Sequence, residues 1–179
     1  MTGGNDGLNT EVPYADFAYS RLRPRLAIPR DQVLQLDQQA GLHPALEPLM
    51  ALWQGRELAV GGAEMGPLRG GVRTIALTEI GRWDSTLVMS YSEFGRRPRE
   101  NLSNGTDHGT ASAHFVMGGR VKGGLYGAPP ELARLDGSDN LSFAVDFRDL
   151  YATVLERWWG VDAPGALNGR FAALDLVRA

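Results

Sequence analysis

The sequence predicts an α/β domain in which helices pack against a largely parallel β-sheet. The chain has 179 residues, 43% of them hydrophobic, which is enough for one domain with a real core. Short apolar and β-branched runs bounded by Gly and Pro are typical of strands. Two other segments place apolar residues at helical spacing. Because strands and helices share the chain in this way, we expect a layered arrangement.

The N-terminal forty residues are predicted to be mostly extended. Residues 3–9 (GGNDGLN) form a Gly/Asn/Asp cluster typical of a loop. Three prolines, Pro13, Pro24 and Pro29, exclude a long helix in the next segment. One short helix near residues 16–20 remains compatible with this pattern.

A helix is predicted to begin at Pro44 and to end at Gly55, since proline suits a first helical turn and glycine a helix end. Its apolar face has the spacing i, i+3, i+4 and i+7 and consists of Leu46, Leu49, Met50 and Trp53. The predicted strands that follow are residues 58–60, 72–77, 86–91 and 113–117. Glycine-rich or polar connections are predicted over residues 61–71, 97–110 and 118–130.

The clearest predicted helix lies near the C-terminus, with Asp146 as its N-cap and Gly160 as its terminator. Its wide apolar stripe is expected to join the core rather than a cofactor site. The stripe consists of Phe147, Leu150, Tyr151, Val154, Leu155 and Trp158.

Composition excludes several classes of function. Without cysteine there is no disulfide, zinc-thiolate site or cysteine nucleophile. A net charge of −3 gives no expectation of nucleic-acid binding, and we interpret the basic residues 96–99 (RRPR) as a solvated or site-lining loop. No segment approaches the roughly 20 apolar residues of a membrane helix, and residues 1–6 lack the apolar region of a signal peptide.

Four side chains in Gly-flanked loops are candidate metal ligands, because carboxylate oxygens and imidazole nitrogens bind hard cations and zinc. They are Asp6, Glu93, Asp107 and His108. Ordinary turn chemistry is the alternative for each of them. Of the other histidines, His43 is predicted to cap a helix or to pack at its start, and His114 is predicted to be a core residue. The motifs of serine hydrolases, P-loop proteins and Rossmann domains do not occur in the sequence.

Several segments together resemble a bacterial family, domain of unknown function 1501. At the N-terminus these are residues 3–10 (GGNDGLNT) and 12–14 (VPY), followed by 42–46 (LHPAL) and 58–60 (LAV). The C-terminal half adds residues 92–97 (SEFGRR), 105–109 (GTDHG) and 118–127 (GGRVKGGLYG). Residues 146–148 and 158–161 match in character.

The family in turn is similar to the alkaline phosphatase and sulfatase superfamily. This resemblance implies a three-layer α/β/α sandwich with a mostly parallel sheet, and a divalent metal, with zinc, calcium and manganese as candidates. It makes Asp6, Glu93 and His108, beside Asp107, metal ligands. It places Asn5 and Arg96 in a pocket for a small anionic ester. It also suggests an exported or periplasmic protein.

The chain departs from the family pattern. It begins almost at the GGND motif, and no Ser-His-Phe or Trp-Asp-Thr-His segment follows the predicted strands; Trp83-Asp84 resembles the second only superficially. We therefore expect one domain over residues 1–179 that lacks the family's export signal, first strand and middle region. A homo-oligomer is expected, because such losses expose apolar strand edges.

Three functions follow from this sequence. The first is a metal-dependent phosphate or sulfate ester hydrolase with weak or no activity. The second is a catalytically silent α/β module that binds an anion or a metal. The third is a binding module whose residues 96–99 contact an anionic partner.

Overall fold

The computed structural model describes residues 5–61 and 77–178. Its helices include α1 (Gly7–Thr10), α2 (Phe17–Leu22), a 3₁₀ helix (Pro44–Leu49) continued by α3 (Met50–Gln54), a 3₁₀ turn (Trp83–Ser85), α4 (Phe147–Thr153) continued by a π-helical turn (Val154–Trp158), and α5 (Ala163–Leu167). Its strands are β1 (Glu11–Val12), β2 (Leu34–Gln35), β3 (Gly41–Leu42), β4 (Leu58–Gly61), β5 (Val88–Met89), β6 (Gly95–Glu100), β7 (Thr106–Gly109), β8 (His114–Met117) and β9 (Gly124–Tyr126).

The central sheet has four strands in the order β5-β8-β4-β9 and mixed orientation. Strand β4 pairs with β9 in parallel, whereas β8 is antiparallel to both β4 and β5. The prediction of an α/β fold is confirmed, but a mostly parallel sheet is not. The described strands have two to six residues. Many are joined by loops and turns, which permits the antiparallel neighbours seen here.

Both faces of this sheet are buried. Alternation along β4 and β8 sends Leu58, Val60 and Phe115 into one hydrophobic cluster and Ala59 and Val116 into another. The first cluster also contains leucines of the 3₁₀ helix and α3. The second contains a leucine of α4 and two residues near the C-terminus: Leu150, Leu176 and Val177. Near-continuous apolar strands are what a sheet covered on both faces requires.

A second, smaller sheet lies near the N-terminus and has the antiparallel order β1-β3-β2. Val12 on β1 packs in a third cluster with residues of α2, including Tyr19 and Leu22. Leu42 on β3 packs instead in the cluster on the central sheet. The small sheet therefore connects the N-terminal segment to the main core.

Strands β6 and β7 form a two-stranded antiparallel hairpin, so the prediction of a loop over residues 97–110 is wrong. The composition of the segment hides the strands, because Gly, Pro and Asp are depleted in β-strands. Pro98 lies where the register shifts between Arg96 and Glu100, and an irregularity of this kind is where a strand tolerates proline. The Pro98 side chain is fully buried, which fixes the hairpin against the rest of the fold.

Several predictions of helix ends are confirmed. The Nδ1 of His43 accepts a hydrogen bond from the backbone N–H of Ala45 at 3.0 Å, which makes His43 a cap. Asp146 caps α4 by accepting from the N–H of Arg148, and Gly160 has a φ of 66°, a value suited to glycine. The predicted short helix is α2, and Asp16 caps it.

The predicted strand at residues 58–60 is confirmed as β4, and that at 113–117 corresponds to β8. The strand predicted over 86–91 shortens to β5. The strand predicted over 72–77, apart from its last residue, and the connection predicted over 61–71, apart from its first, lie outside the described residues. Within the described residues, no helix has the length and apolar character needed to cross a bilayer.

Candidate functional site

Arg23 is the centre of the polar network around the N-terminal motif. It follows α2 directly, and its side chain is fully buried. Its Nη1 donates to both carboxylate oxygens of Asp6, at 2.6 and 2.7 Å, and to Oδ1 of Asn9 at 3.1 Å. The guanidinium also donates to two backbone oxygens of β6, from Nε to Pro98 at 2.6 Å and from Nη2 to Arg97 at 3.1 Å. One side chain thus joins the motif, α2 and the hairpin.

Asp6 therefore has a buried cationic partner within the chain. Its side chain is 29% exposed, so one side remains open to solvent. Charge-assisted hydrogen bonds of this length are strong and directional. A carboxylate held in this way is oriented by Arg23.

Asn5 lies beside Asp6 and is held by three hydroxyl groups. Its backbone N–H donates to Oγ of Ser92 at 3.3 Å, and its side-chain Nδ2 donates to Oγ of Ser112 at 3.4 Å. Its Oδ1 accepts from the hydroxyl of Thr10 at 2.9 Å. The predicted anion-binding asparagine is thus part of a network that joins the motif to residues 92 and 112.

The hairpin presents Arg96 and His108 side by side, because the two residues are opposite one another in the β6–β7 register. The His108 ring stacks on Phe94 with a centroid distance of 3.8 Å and an interplanar angle of 23°. The Arg96 guanidinium lies 5.1 Å from the centroid of the same phenyl ring. Its Nη1 donates to the backbone oxygen of Thr106 at 2.7 Å. Phe94 therefore holds both nitrogen-bearing side chains on one side of the hairpin.

The two remaining candidate ligands are exposed. Asp107 precedes His108 on β7, and its Oδ1 accepts from Nδ2 of Asn101 at 2.9 Å. Successive side chains on a strand point to opposite faces, so Asp107 and His108 diverge. Glu93 lies just before β6 and is also exposed.

The model of a family described as a protein of unknown function (DUF1501) matches residues 74–166, just over half of the chain. The chain belongs to the DUF1501 family. The matched region contains Glu93, Arg96, Asp107 and His108, whereas Asn5 and Asp6 precede it. A comparison with curated proteins and one with solved structures found no match.

In the part of the chain that the structure describes, the four predicted ligands of this DUF1501 protein are not assembled into the metal centre that the superfamily resemblance implies. Asp6 is paired with Arg23, and Asp107 and His108 leave their strand on opposite faces. Among residues 5–61 and 77–178, no three His, Asp or Glu side chains are grouped in a way that could hold a metal ion. The structure brings together His108 and Arg96 but not the four predicted ligands.

Sequence reasoning missed Arg23, which organises the site. Its neighbours Arg21 and Arg25 give the segment a basic character that points to solvent. Only its position gives a signal, because a cation directly at the C-terminal end of a helix is stabilised by the helix carbonyl groups. Nothing local indicates that this cation is buried against Asp6.

Proposed function

We propose that this DUF1501 chain is an α/β module that binds a small anion, a phosphate or sulfate group, through Arg96 and His108. The observation that carries the proposal is their pairing across β6 and β7 on the Phe94 ring. Guanidinium and imidazole N–H groups are the donors that recognise such oxyanions. The stacking on Phe94 orients both donors before an anion arrives.

The hydrogen bonds around the pair support this proposal. Only Nη1 of Arg96 donates to a described protein group, which leaves N–H groups of the same guanidinium for a ligand. Among the described residues, no carboxylate forms an ion pair with Arg96 or His108 within 4 Å. Asp107 is engaged by Asn101. A partly exposed two-donor site of this kind should bind weakly, with a Kd of about 1–10 mM.

The test is a titration of the protein with inorganic phosphate and with sulfate, followed by NMR chemical shifts. We expect shifts centred on β6 and β7. Arg96→Gln should weaken binding at least about fivefold, whereas Arg170→Gln, at an exposed arginine elsewhere, should leave it unchanged. Equal weakening by the two variants, or no saturable shifts with the unmodified chain, would show that the proposal is wrong.

A metal-dependent phosphate or sulfate ester hydrolase is the second candidate. It is favoured by the resemblance of residues 3–10 and 105–109 to motifs of an alkaline phosphatase-like family. Proteins of that kind have a three-layer α/β/α fold, which we propose for this chain as well. Helices on both faces of the central sheet support that arrangement. We propose hydrolysis that is absent or very slow. Metal analysis of the unmodified chain beside the variant Asp107→Ala/His108→Ala tests it, since equal metal content would exclude these ligands.

A further inference from the structure

A cavity of about 400 Å³ lies between the N-terminal segment and the loops that follow β7 and β9. Its walls include α1, β1, residues 111–113, residues 125–130 and residues 141–144. Most of the lining side chains are small or apolar. Pockets for small molecules run from roughly 300 to 1,000 Å³, so this cavity has room for a compact ligand.

The charged side chains among the described lining residues of the cavity are all acidic. Three carboxyl side chains line it, those of Glu11, Asp16 and Asp37, and no Lys, Arg or His is among its described lining residues. Two of the three have structural roles. Asp16 Oδ1 accepts from the N–H of Ala18, and Asp37 Oδ1 accepts from those of Gln39 and Ala40, all at 2.8 Å.

Glu11 differs from the other two carboxyl groups. It lies on β1, and among the described residues no hydrogen-bond donor acts on its carboxyl group. Burial, reinforced by the neighbouring Asp37 charge, raises the pKa of Glu11 to about 7. A partly desolvated carboxyl group without a donor is costly in the free chain. A ligand that brings a donor and a positive charge removes that cost.

We propose that this cavity binds a small organic ammonium ion, with its nitrogen at Glu11 and its apolar body against the small side chains of the walls. Phe143 lines the cavity and is 56% exposed, so its ring is open to a cation or an apolar group. The apolar lining accommodates a hydrocarbon group, and the negative charge of the lining carboxylates disfavours anionic ligands. This site is separate from Arg96 and His108, neither of which lines the cavity.

The test compares three probes of similar size by calorimetry at pH 8: 2-phenylethylamine, 2-phenylethanol and phenylacetate. We expect the amine to bind at least about tenfold more tightly than phenylacetate and more tightly than the alcohol. Glu11→Gln keeps the shape and removes the charge. It should weaken amine binding about tenfold and leave binding of the alcohol unchanged.

Two further variants keep the test decisive. Glu47→Gln removes an exposed carboxylate outside the cavity and should leave amine binding unchanged. Ala144→Phe narrows the cavity at an exposed lining position and should weaken the amine and the alcohol alike. Equal affinity of the three probes, or full amine affinity in folded Glu11→Gln, would overturn the proposal.

Discussion

At the scale of single residues, the pairing of Asp6 with Arg23 is expected to contribute strongly to stability. Arg23 is fully buried, so its positive charge is stabilised by the Asp6 carboxylate and by the backbone oxygens of the hairpin rather than by water. Removal of one partner from a buried pair costs about 3–5 kcal/mol. We expect Asp6→Ala to lower the free energy of unfolding by about 3 kcal/mol, the low end of that range, because Asp6 is partly exposed.

Urea denaturation measures this change, and the double variant Asp6→Ala/Arg23→Met is its control. Without either charge, the variant should regain part of the lost stability. If Asp6→Ala costs less than about 1 kcal/mol, the pair is not the structural centre of the site.

Glu11 gives a second prediction at this scale. Its pKa in the folded chain is about 7, above the usual value of about 4.3 for an unfolded glutamate. The folded chain therefore binds more protons between these values. The resulting stability is present below the unfolded pKa and is lost as the pH rises through 7. We expect the unmodified chain to lose about 2–3 kcal/mol relative to Glu11→Gln between pH 4 and pH 8, as measured by urea denaturation at each pH.

His114 acts in the opposite direction. Burial lowers its pKa to about 4, despite the Nδ1 hydrogen bond to the backbone oxygen of Ser90 at 2.8 Å. Its contribution to the free energy of unfolding is present above the pKa of a histidine in the unfolded chain and is lost as the pH falls towards 4. Because the two titrations span nearly the same pH range, His114→Phe should make the free energy of unfolding fall more steeply between pH 4 and pH 7 than in the unmodified chain, whereas Glu11→Gln should make it rise with pH there. Parallel profiles for the two variants would contradict both assignments.

At the scale of elements, the hairpin of β6 and β7 depends on close backbone approach at Gly95. A Cβ there would lie 2.7 Å from the backbone carbon and nitrogen of Ala111 and closer still to its oxygen. Backbone atoms cannot yield as a flexible side chain can. We expect Gly95→Ala to destabilise the chain by at least about 2 kcal/mol and to reduce phosphate binding at Arg96.

Gly137→Ala is the matched control, since nothing lies within 4 Å of the added methyl group. It should change the free energy of unfolding by less than about 1 kcal/mol. Thermal melts of both variants give the comparison. Similar melting temperatures for the two would show that the hairpin adapts without cost.

Elements whose signals are local could be predicted from the sequence, and those fixed by distant contacts could not. The capping residues act within a few residues of their own positions, so their roles can be predicted from the sequence. They are His43, Asp146 and Gly160. The hairpin is different. Arg23 donates a hydrogen bond to the backbone oxygen of Pro98 in the hairpin, although it lies 75 positions earlier in the chain. A periodic pattern in the sequence does not indicate a contact over that distance.

The same limit applies to the candidate site at the scale of the whole molecule. The motifs identified the DUF1501 family and the hairpin residues that carry Arg96 and His108. They did not reveal that Asp6 is bound by a cation or that the cavity at Glu11 has three acidic lining residues. Both features come from segments that are far apart in sequence. They depend on which segments the fold packs against one another, and a sequence motif does not contain that information.

The two faces of the central sheet should unfold together. Strands β4 and β8 contribute residues to both hydrophobic clusters, so neither cluster can open without disturbing the same two strands. Leu49 belongs to one cluster and Leu176 to the other, and both side chains are at most 2% exposed. We expect Leu49→Ala and Leu176→Ala each to cost about 2–5 kcal/mol and to lower one shared melting transition.

Calorimetry with circular dichroism checks this expectation, and Leu102→Ala is the control. Leu102 is 98% exposed, so its truncation should change stability by less than about 0.5 kcal/mol. In a chain of this length, each kcal/mol lowers the melting temperature by about 2–4 °C. Two resolved transitions, with Leu49→Ala moving only one and Leu176→Ala only the other, would show that the clusters are independent. A single transition that both variants lower follows from the shared strands, because the sheet loses its backbone pairing on both sides at once.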